Sequence, residues 1–422
     1  MFKRLHIKRW RQFADVDIVF HQHLTILTGA NGAGKTTVLN LLSKVIGWTP
    51  EFVSSVKTSK TGKGVYNNSY ELKDLKTIID GILYPEKNFL GELTLSDGQV
   101  CSFLLPKEVA SGTYDVDIKL KGLEKGVYVN SQRPNLPYKK MASISTEVLS
   151  RKQIFEKYNE FNKKYFFDTF RDHSEISATT VIKETLAGLA VFGQGNDSVA
   201  ANTVTKDLLL GYEKILKCVL PPRIGFEKIS VVVPEVVLCT KSGDFPLDAV
   251  SGGLASIINM TWQLYMFSEP EDSFVALIDE PENHLHPELQ KSFLGNMIKA
   301  FPNVQFIVAT HNPFMITSQR DSNIYVLDYN NDNKVQSKLL DHINKAGTAN
   351  SILRNVLGID STLPGWAENI LADSIKRYSE SPITEDTFNR LRSELKEFGL
   401  DEFIPETIAA VAEEIRKNDQ ID

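Results

Sequence analysis

Short clusters of residues in this chain have the types and spacing needed for phosphate chemistry. The first is Gly29-Ala30-Asn31-Gly32-Ala33-Gly34-Lys35-Thr36, between an apolar run, Leu24-Thr25-Ile26-Leu27, and a helix-like run from Thr37 to Leu42. Strand, glycine-rich loop and helix in that order form the context of a phosphate-binding P-loop. Glycines let backbone wrap a phosphate closely, so N–H groups of the Asn31–Thr37 stretch and the helix N-terminus point at the anion. Lys35 would reach the β- and γ-phosphates and the Thr36 hydroxyl would hold Mg²⁺. The cluster predicts a bound nucleoside triphosphate, with Gly32, Ala33 and Gly34 lining it.

The second cluster ends an apolar run, Phe274-Val275-Ala276-Leu277-Ile278, in Asp279-Glu280-Pro281. A hydrophobic strand ending in two carboxylates is the Walker B pattern, and the C-terminal edge of such a strand is where α/β folds bind ligands. Asp279 would complete the Mg²⁺ shell, and Glu280 would polarise the attacking water as general base. A third strand, Val304 to Thr310, delivers His311 to the same kind of edge, within reach of a γ-phosphate. Ser251-Gly252-Gly253, ahead of a helical run from Leu254 to Tyr265, is a turn signal when taken alone. His284 and His286 make a His-x-His pair with no further ligand set, so they do not predict a metal centre.

The elements that must carry these clusters follow from the pattern around them. Leu5, Ile7, Val16, Ile18 and Phe20 alternate with polar residues on either side of Trp10-Arg11-Gln12-Phe13 and predict a hairpin leading into the P-loop strand. From Glu51 to Tyr70 the sequence is polar and reads as a surface loop, with Lys57, Lys60 and Lys63 as an alternative phosphate-backbone contact. Short runs at 92–95, 100–105, 116–120 and 127–129 predict an antiparallel β region. Glu147 to Arg171 reads as an amphipathic helix with Arg151, Lys152, Lys157, Lys163, Lys164 and Arg171. Its interleaved Tyr158, Phe161, Tyr165, Phe166 and Phe170 read as a core-facing stripe, single-stranded nucleic acid being the alternative. A further helix is predicted from Ala200 to Val219, then strands at Ile229–Val233 and Val236–Leu238. Ile324–Leu327 and Val335–Leu340 predict a final hairpin, and helices follow Gly347, with Leu391, Leu395 and Phe398 sharing a face.

With 422 residues, the chain can bury a large core, and 42% hydrophobic and 24% charged residues are ordinary for a globular protein. The formal net charge of −6 gives no support to nucleic-acid binding by overall charge, although a local basic stripe could still act. Three scattered cysteines fit a reducing compartment, and no apolar run approaches a membrane span. The expected location is the cytoplasm, with no membrane partner.

Taken together, Gly29–Thr36, Ser251-Gly252-Gly253, Asp279-Glu280 and His311 resemble, in order and context, the ABC-type ATPase superfamily. The likeness is to its SMC and RecF-like branch, which includes the stand-alone OLD and Septu ATPases of bacterial defence loci. The Trp10-Arg11-Gln12-Phe13 hairpin is similar to that branch's opening, and Asp279-Glu280-Pro281-Glu282-Asn283-His284-Leu285-His286-Pro287 is similar to the second group. The resemblance implies an α/β fold: an ABC-ATPase-like P-loop sheet with an N-terminal antiparallel β region, a helical insert and a C-terminal helical appendage. The ATPase domain would span 1–345, with the insert at about 51–245, and helices would fill 346–422.

The same resemblance implies a head-to-tail homodimer sandwiching ATP and Mg²⁺, in which Ser251, Gly252 and Gly253 complete the partner's site. Glu282, Asn283 and His284 would lie in the D-loop, His311 would be the switch histidine, and Gln132 would link Mg²⁺ to the accessory region. Leu254 departs from the superfamily, which often has glutamine there. OLD-type relatives carry a C-terminal TOPRIM nuclease with an Asp-x-Asp, which this sequence lacks after Asp279, so a separate effector such as a nuclease is expected. The expected function is an ATP-hydrolysing switch that regulates a nucleic-acid-processing or effector partner in anti-phage defence or DNA maintenance. The alternatives are the nucleotide-binding subunit of an ABC transporter, against which the long insert argues, and a small-molecule P-loop kinase.

Overall fold

A computed structural model describes residues 1–58, 64–68, 87–133, 138, 140, 141, 143, 144, 146, 147, 149–167, 178–269, 271–340, 348–358, 363–380 and 384–418. Within it the chain divides into two compact units, Met1–Ile352 and Leu353–Asp422.

The first unit is built on one mixed sheet. β1 (Phe2–Trp10) and β2 (Phe13–Val19) form the predicted hairpin, with Leu5 opposite Ile18 and Ile7 opposite Val16, all buried. β3 (Leu24–Thr28) runs into α1 (Lys35–Val45). Then come β4 (Phe52–Val53), β5 (Ser55–Thr58), β6 (Gly64–Asn67), β7 (Lys87–Leu95), β8 (Val100–Pro106), β9 (Thr113–Tyr114), β10 (Asp117–Lys119) and β11 (Gly126–Val129). The insert's helices are α2 (Arg151–Phe167), α3 (Ala178–Gln194) and α4 (Thr203–Val219). A small antiparallel sheet of β12 (Phe226–Val232), β13 (Glu235–Thr240) and β14 (Phe245–Pro246) leads to α5 (Gly252–Phe267). The core resumes with β15 (Phe274–Asp279), α6 (Pro287–Ala300), β16 (Val304–Ala309), α7 (Pro313–Ile316), β17 (Asn323–Tyr329) and β18 (Val335–Leu339).

Eleven strands pair in the order β10-β8-β7-β1-β2-β18-β17-β3-β16-β15-β11. The stretch from β17 through β3, β16 and β15 to β11 is parallel. β3, β15 and β16 are buried at every residue, which is why they read as unbroken apolar runs rather than alternating ones. One polar residue among them, Gln305, has a specific task. Its amide accepts from Phe2 N–H and donates to Phe2 C=O, both at 2.8 Å, so a buried amide is satisfied by the start of β1.

Several expectations change. Val127–Val129 leaves the antiparallel region and pairs in parallel with β15, because β11 docks on the Walker B strand, with Tyr128 opposite Leu277. The 51–70 stretch contains a hairpin, β5 with β6, rather than only a loop; Lys57 lies in β5, while Lys60 and Lys63 fall outside the described residues. Arg151 is no solvated charge, since it donates to Ser268 C=O at 2.8 Å and the Tyr265 hydroxyl at 2.9 Å and lies over the Tyr265 ring. Tyr158 is fully buried, as a core stripe requires, whereas the side chains from Phe161 to Arg171 lie outside the description. α3 was not anticipated from the sequence.

α8 (Ala349–Asn355) spans the unit boundary, and the second unit holds α9 (Gly365–Ser379), α10 (Glu385–Glu397) and α11 (Ile404–Asn418). Thr384 caps α10 by accepting from Thr387 N–H, and Ala367, Leu391, Leu395, Leu400 and Val411 form its core. Phe398, expected on the Leu391–Leu395 face, is instead exposed, because the helix ends there. Among the described residues no helix is long and apolar enough to cross a membrane.

Candidate functional site

The P-loop leaves β3 through Gly29, Gly32 and Gly34, whose φ values of 132°, 83° and 93° lie where L-residues are strained. Gly34 is the N-cap of α1, and a Cβ there would sit 2.5 Å from Gln12 Nε2 and from the Phe13 ring. The opening hairpin thus packs against the loop, and only glycine fits between them. No side chain caps α1, which leaves its first-turn N–H groups for an anion.

Lys35 is buried, and its ammonium donates to Gly29 C=O at 2.8 Å and Ala30 C=O at 3.1 Å. Burial lowers its pKa, and Glu280, Asp279 and Glu282 act against that. Asn31, Gly32 and Thr36 face solvent, Thr37 and Gly34 are half-buried, and Ala33 is buried under the loop.

β16 separates β3 from β15 in the sheet, yet the ends of both Walker strands meet at its edge. Thr36 Oγ1 donates to Asp279 Oδ2 at 2.9 Å. Asp279 is 3% exposed. Burial pushes its carboxyl up to about 6, with Glu280 and Glu282 adding and the Thr36 bond and Lys35 opposing. A hydroxyl and one carboxylate suit a hard divalent cation such as Mg²⁺, which takes its remaining oxygens from phosphate and water. Among the described residues there is no group of three or more His, Cys, Asp or Glu placed to hold a metal ion. His286 instead caps α6, accepting from Glu288 N–H.

Glu280 is held from every side. Its φ is 45°, its N–H donates to Ala309 C=O, and its C=O accepts from Arg133 Nη2 at 2.7 Å. Its Oε2 accepts from Asn283 Nδ2 at 3.2 Å, and its Oε1 lies 3.3 Å from His311 Nδ1. The carboxylate is therefore oriented while still reaching water, as a base that activates a water must be. Glu282 is buried; its Oε1 accepts from Thr310 Oγ1, its Oε2 has no hydrogen-bond partner among the described residues, and burial raises its pKa.

Lys35, Thr36, Asp279, Glu280 and His311 are thus gathered at one edge, whereas two predicted groups stand apart. Ser251 is exposed at the N-cap of α5, and Gly252 and Gly253 lie against His284, where a Cβ on Gly253 would sit 2.7 Å from His284 C=O. Among the described residues no hydrogen bond or ion pair joins Ser251 to the P-loop. Gln132 is exposed in the bend after β11. Its neighbour Arg133, to which sequence reading gave no role, is half-buried near Glu282, Asp279 and Glu280, and desolvation pulls its guanidinium down to about 10 against their charges. Its place directly after a strand was legible, but that strand's pairing with β15 was not.

The chain is similar to several known proteins. The family described as "AAA domain" matches residues 4–184, and the family described as "AAA domain, putative AbiEii toxin, Type IV TA system" matches residues 240–317. The Septu protein PtuA of Bacillus thuringiensis is 23% identical, over 81% of this chain and 80% of that one. The Retron Vc95 probable ATPase of Vibrio cholerae is 20% identical, over 73% and 69%, and the Retron Ec83 probable ATPase of Escherichia coli is 23% identical, over 76% and 70%. Among solved structures, the SMC head domain from Thermotoga maritima overlays with a TM-score of 0.42 at 12% identity, covering 81% of this chain and 99% of that one.

Proposed function

We propose that this chain, an AAA-type P-loop protein of the SMC/RecF-like kind related to the Septu and retron ATPases, hydrolyses ATP to ADP and phosphate and uses the cycle as a switch. The observation that carries the reading is the junction of Thr36 with Asp279, beside a Glu280 fixed by Arg133, Asn283 and His311. On nucleotide binding the Lys35 ammonium exchanges the Gly29 and Ala30 carbonyls for phosphate oxygens. Thr36 and Asp279 would hold Mg²⁺, whose chemistry is to neutralise charge on the β- and γ-phosphates. Glu280 orients and deprotonates water, and His311, next to Glu280 at the sheet edge, faces the terminal phosphate.

Ser251 and Gly252 are exposed, and among the described residues no hydrogen bond or ion pair joins Ser251 to the P-loop, which supports their use, with Gly253, by a second copy in a head-to-tail homodimer around ATP. In this reading ATP favours the closed dimer and hydrolysis releases it. The relatives support a role in anti-phage defence or DNA maintenance, with a separate effector protein such as a nuclease, or a polynucleotide, as the controlled partner.

The test is phosphate release from ATP with Mg²⁺, measured alone and with single- and double-stranded DNA and RNA. Lys35→Ala should bind no nucleotide; unchanged affinity in that variant would overturn the P-loop assignment. Transfer of the phosphate to a small acceptor instead of water would overturn the ATPase reading.

A further inference from the structure

A buried ion cluster lies outside the nucleotide edge and bears on the segment that presents Ser251. Lys183 of α3 has a side chain 1% exposed, and its ammonium donates to Asp248 Oδ2 at 2.5 Å and Glu235 Oε2 at 2.8 Å. Asp248 is equally buried, while Glu235 is partly open and also accepts from the exposed Tyr138 hydroxyl at 3.0 Å. The two carboxylates bracket one stretch of chain. Glu235 begins β13, whose residues Val237 and Leu238 pair with Pro246 and Phe245 of β14, and Asp248 follows in the turn Leu247–Ala249.

Only Ala249 and Val250 separate Asp248 from Ser251. Val250 and Ser251 are extended, with ψ of 149° and 155°, so little slack remains between the clamp and the loop. Leu247 is fully buried beside the clamp, and on the far side Gly253 lies against the His284 carbonyl. The Ser251 loop is therefore gripped on one flank by the insert helix and on the other by the D-loop. A lone buried ammonium is costly, and here two carboxylates compensate it, so the helix and the segment are held in one register.

We propose that Lys183 is a positioning residue for Ser251: its bonds to Asp248 and Glu235 tie the insert helix α3 to the loop that closes the partner's ATP. This rests on the composite-site reading above. It assigns the insert a task in turnover that involves no contact with nucleotide, and makes α3 the element through which a partner bound to the insert would reach the active site.

Lys183→Met and the isosteric Asp248→Asn would be compared with the parent for ATP affinity, kcat and ATP-induced dimerisation, with Ser251→Arg alongside. Lys183→Met should keep ATP affinity within about twofold while kcat falls by up to about 100-fold, the scale of a small misplacement of a catalytic group. Asp248→Asn should lower kcat less, and Lys183→Arg should restore part of what Lys183→Met loses. Parental kcat and dimerisation in a folded Lys183→Met would overturn the proposal. So would loss of ATP affinity in parallel with kcat, which marks a purely structural lysine. Should Lys183→Met not fold, parental kcat in Asp248→Asn overturns it equally. An active Ser251→Arg would strike the composite site itself, which separates the two failures.

Discussion

Thr36 and Asp279 are 243 positions apart in sequence, yet the hydroxyl of one donates to the carboxylate of the other at 2.9 Å. The bond joins the P-loop to the Walker B strand. It also explains why an aspartate 3% exposed can be tolerated at the end of an apolar strand.

That aspartate should leave a mark on stability. The free carboxyl titrates near 3.8 and the native one near 6. The native state therefore keeps a proton that the unfolded chain releases, and the stability contributed by this group falls as pH rises from about 4 to about 6. Above that window the buried charge costs at most about 3 kcal/mol. Without Mg²⁺, Asp279→Asn should unfold at higher denaturant than the parent at pH 7.5, and the gap should close toward pH 4. Unfolding curves in chelator check this, and a pH-independent gap would contradict it.

Glu280→Gln keeps the shape and the Asn283 contact but removes the base. Turnover should fall by about 10²-fold or more, and an ATP-bound dimer should accumulate. Light scattering after gel filtration, with and without ATP, reads the dimer; undiminished turnover would place the base elsewhere.

Ser251→Arg puts a bulky cation on an exposed helix N-cap. ATP binding should persist while turnover stops and dimerisation is lost. Mixing this variant with Lys35→Ala should restore up to half of the sites in a head-to-tail pair, so a mixture as inert as its components would count against composite sites.

Gln132 and Arg133 are neighbours with different prospects. If Gln132 serves the metal, Gln132→Ala should raise the Mg²⁺ concentration for half-maximal turnover severalfold; an unchanged requirement removes it from the site. Arg133→Met deprives the Glu280 carbonyl of its donor, a loss on the order of 1–3 kcal/mol for a buried group. Turnover should fall about tenfold, by RT ln 10 per 1.4 kcal/mol, with no rise in the Mg²⁺ requirement.

Which parts of this site could be read from sequence follows from how each is built. Lys35 with Thr36 and Asp279 with Glu280 are adjacent residues after apolar strands, so spacing alone carries them. Arg133 reaches the Glu280 carbonyl because β11 docks beside β15, a tertiary event with no local signature. Lys183 is hidden for the same reason, since its partners lie 52 and 65 residues away. The β5–β6 hairpin was missed because Val56, Val65 and Tyr66 remain exposed, leaving no buried face to print an apolar period. Phe398 erred the other way: its spacing matched the helix face, but α10 stops before delivering it.

The strand order has a consequence for biosynthesis. β3 and β15 never pair with each other; β16, made after both, fills the place between them. A ribosome that has released only the first three hundred residues has made both Walker sequences and can align neither. Contacts so distant in sequence form late and slowly. The alignment of Thr36 with Asp279 thus waits on β16, the strand that joins β3 to β15.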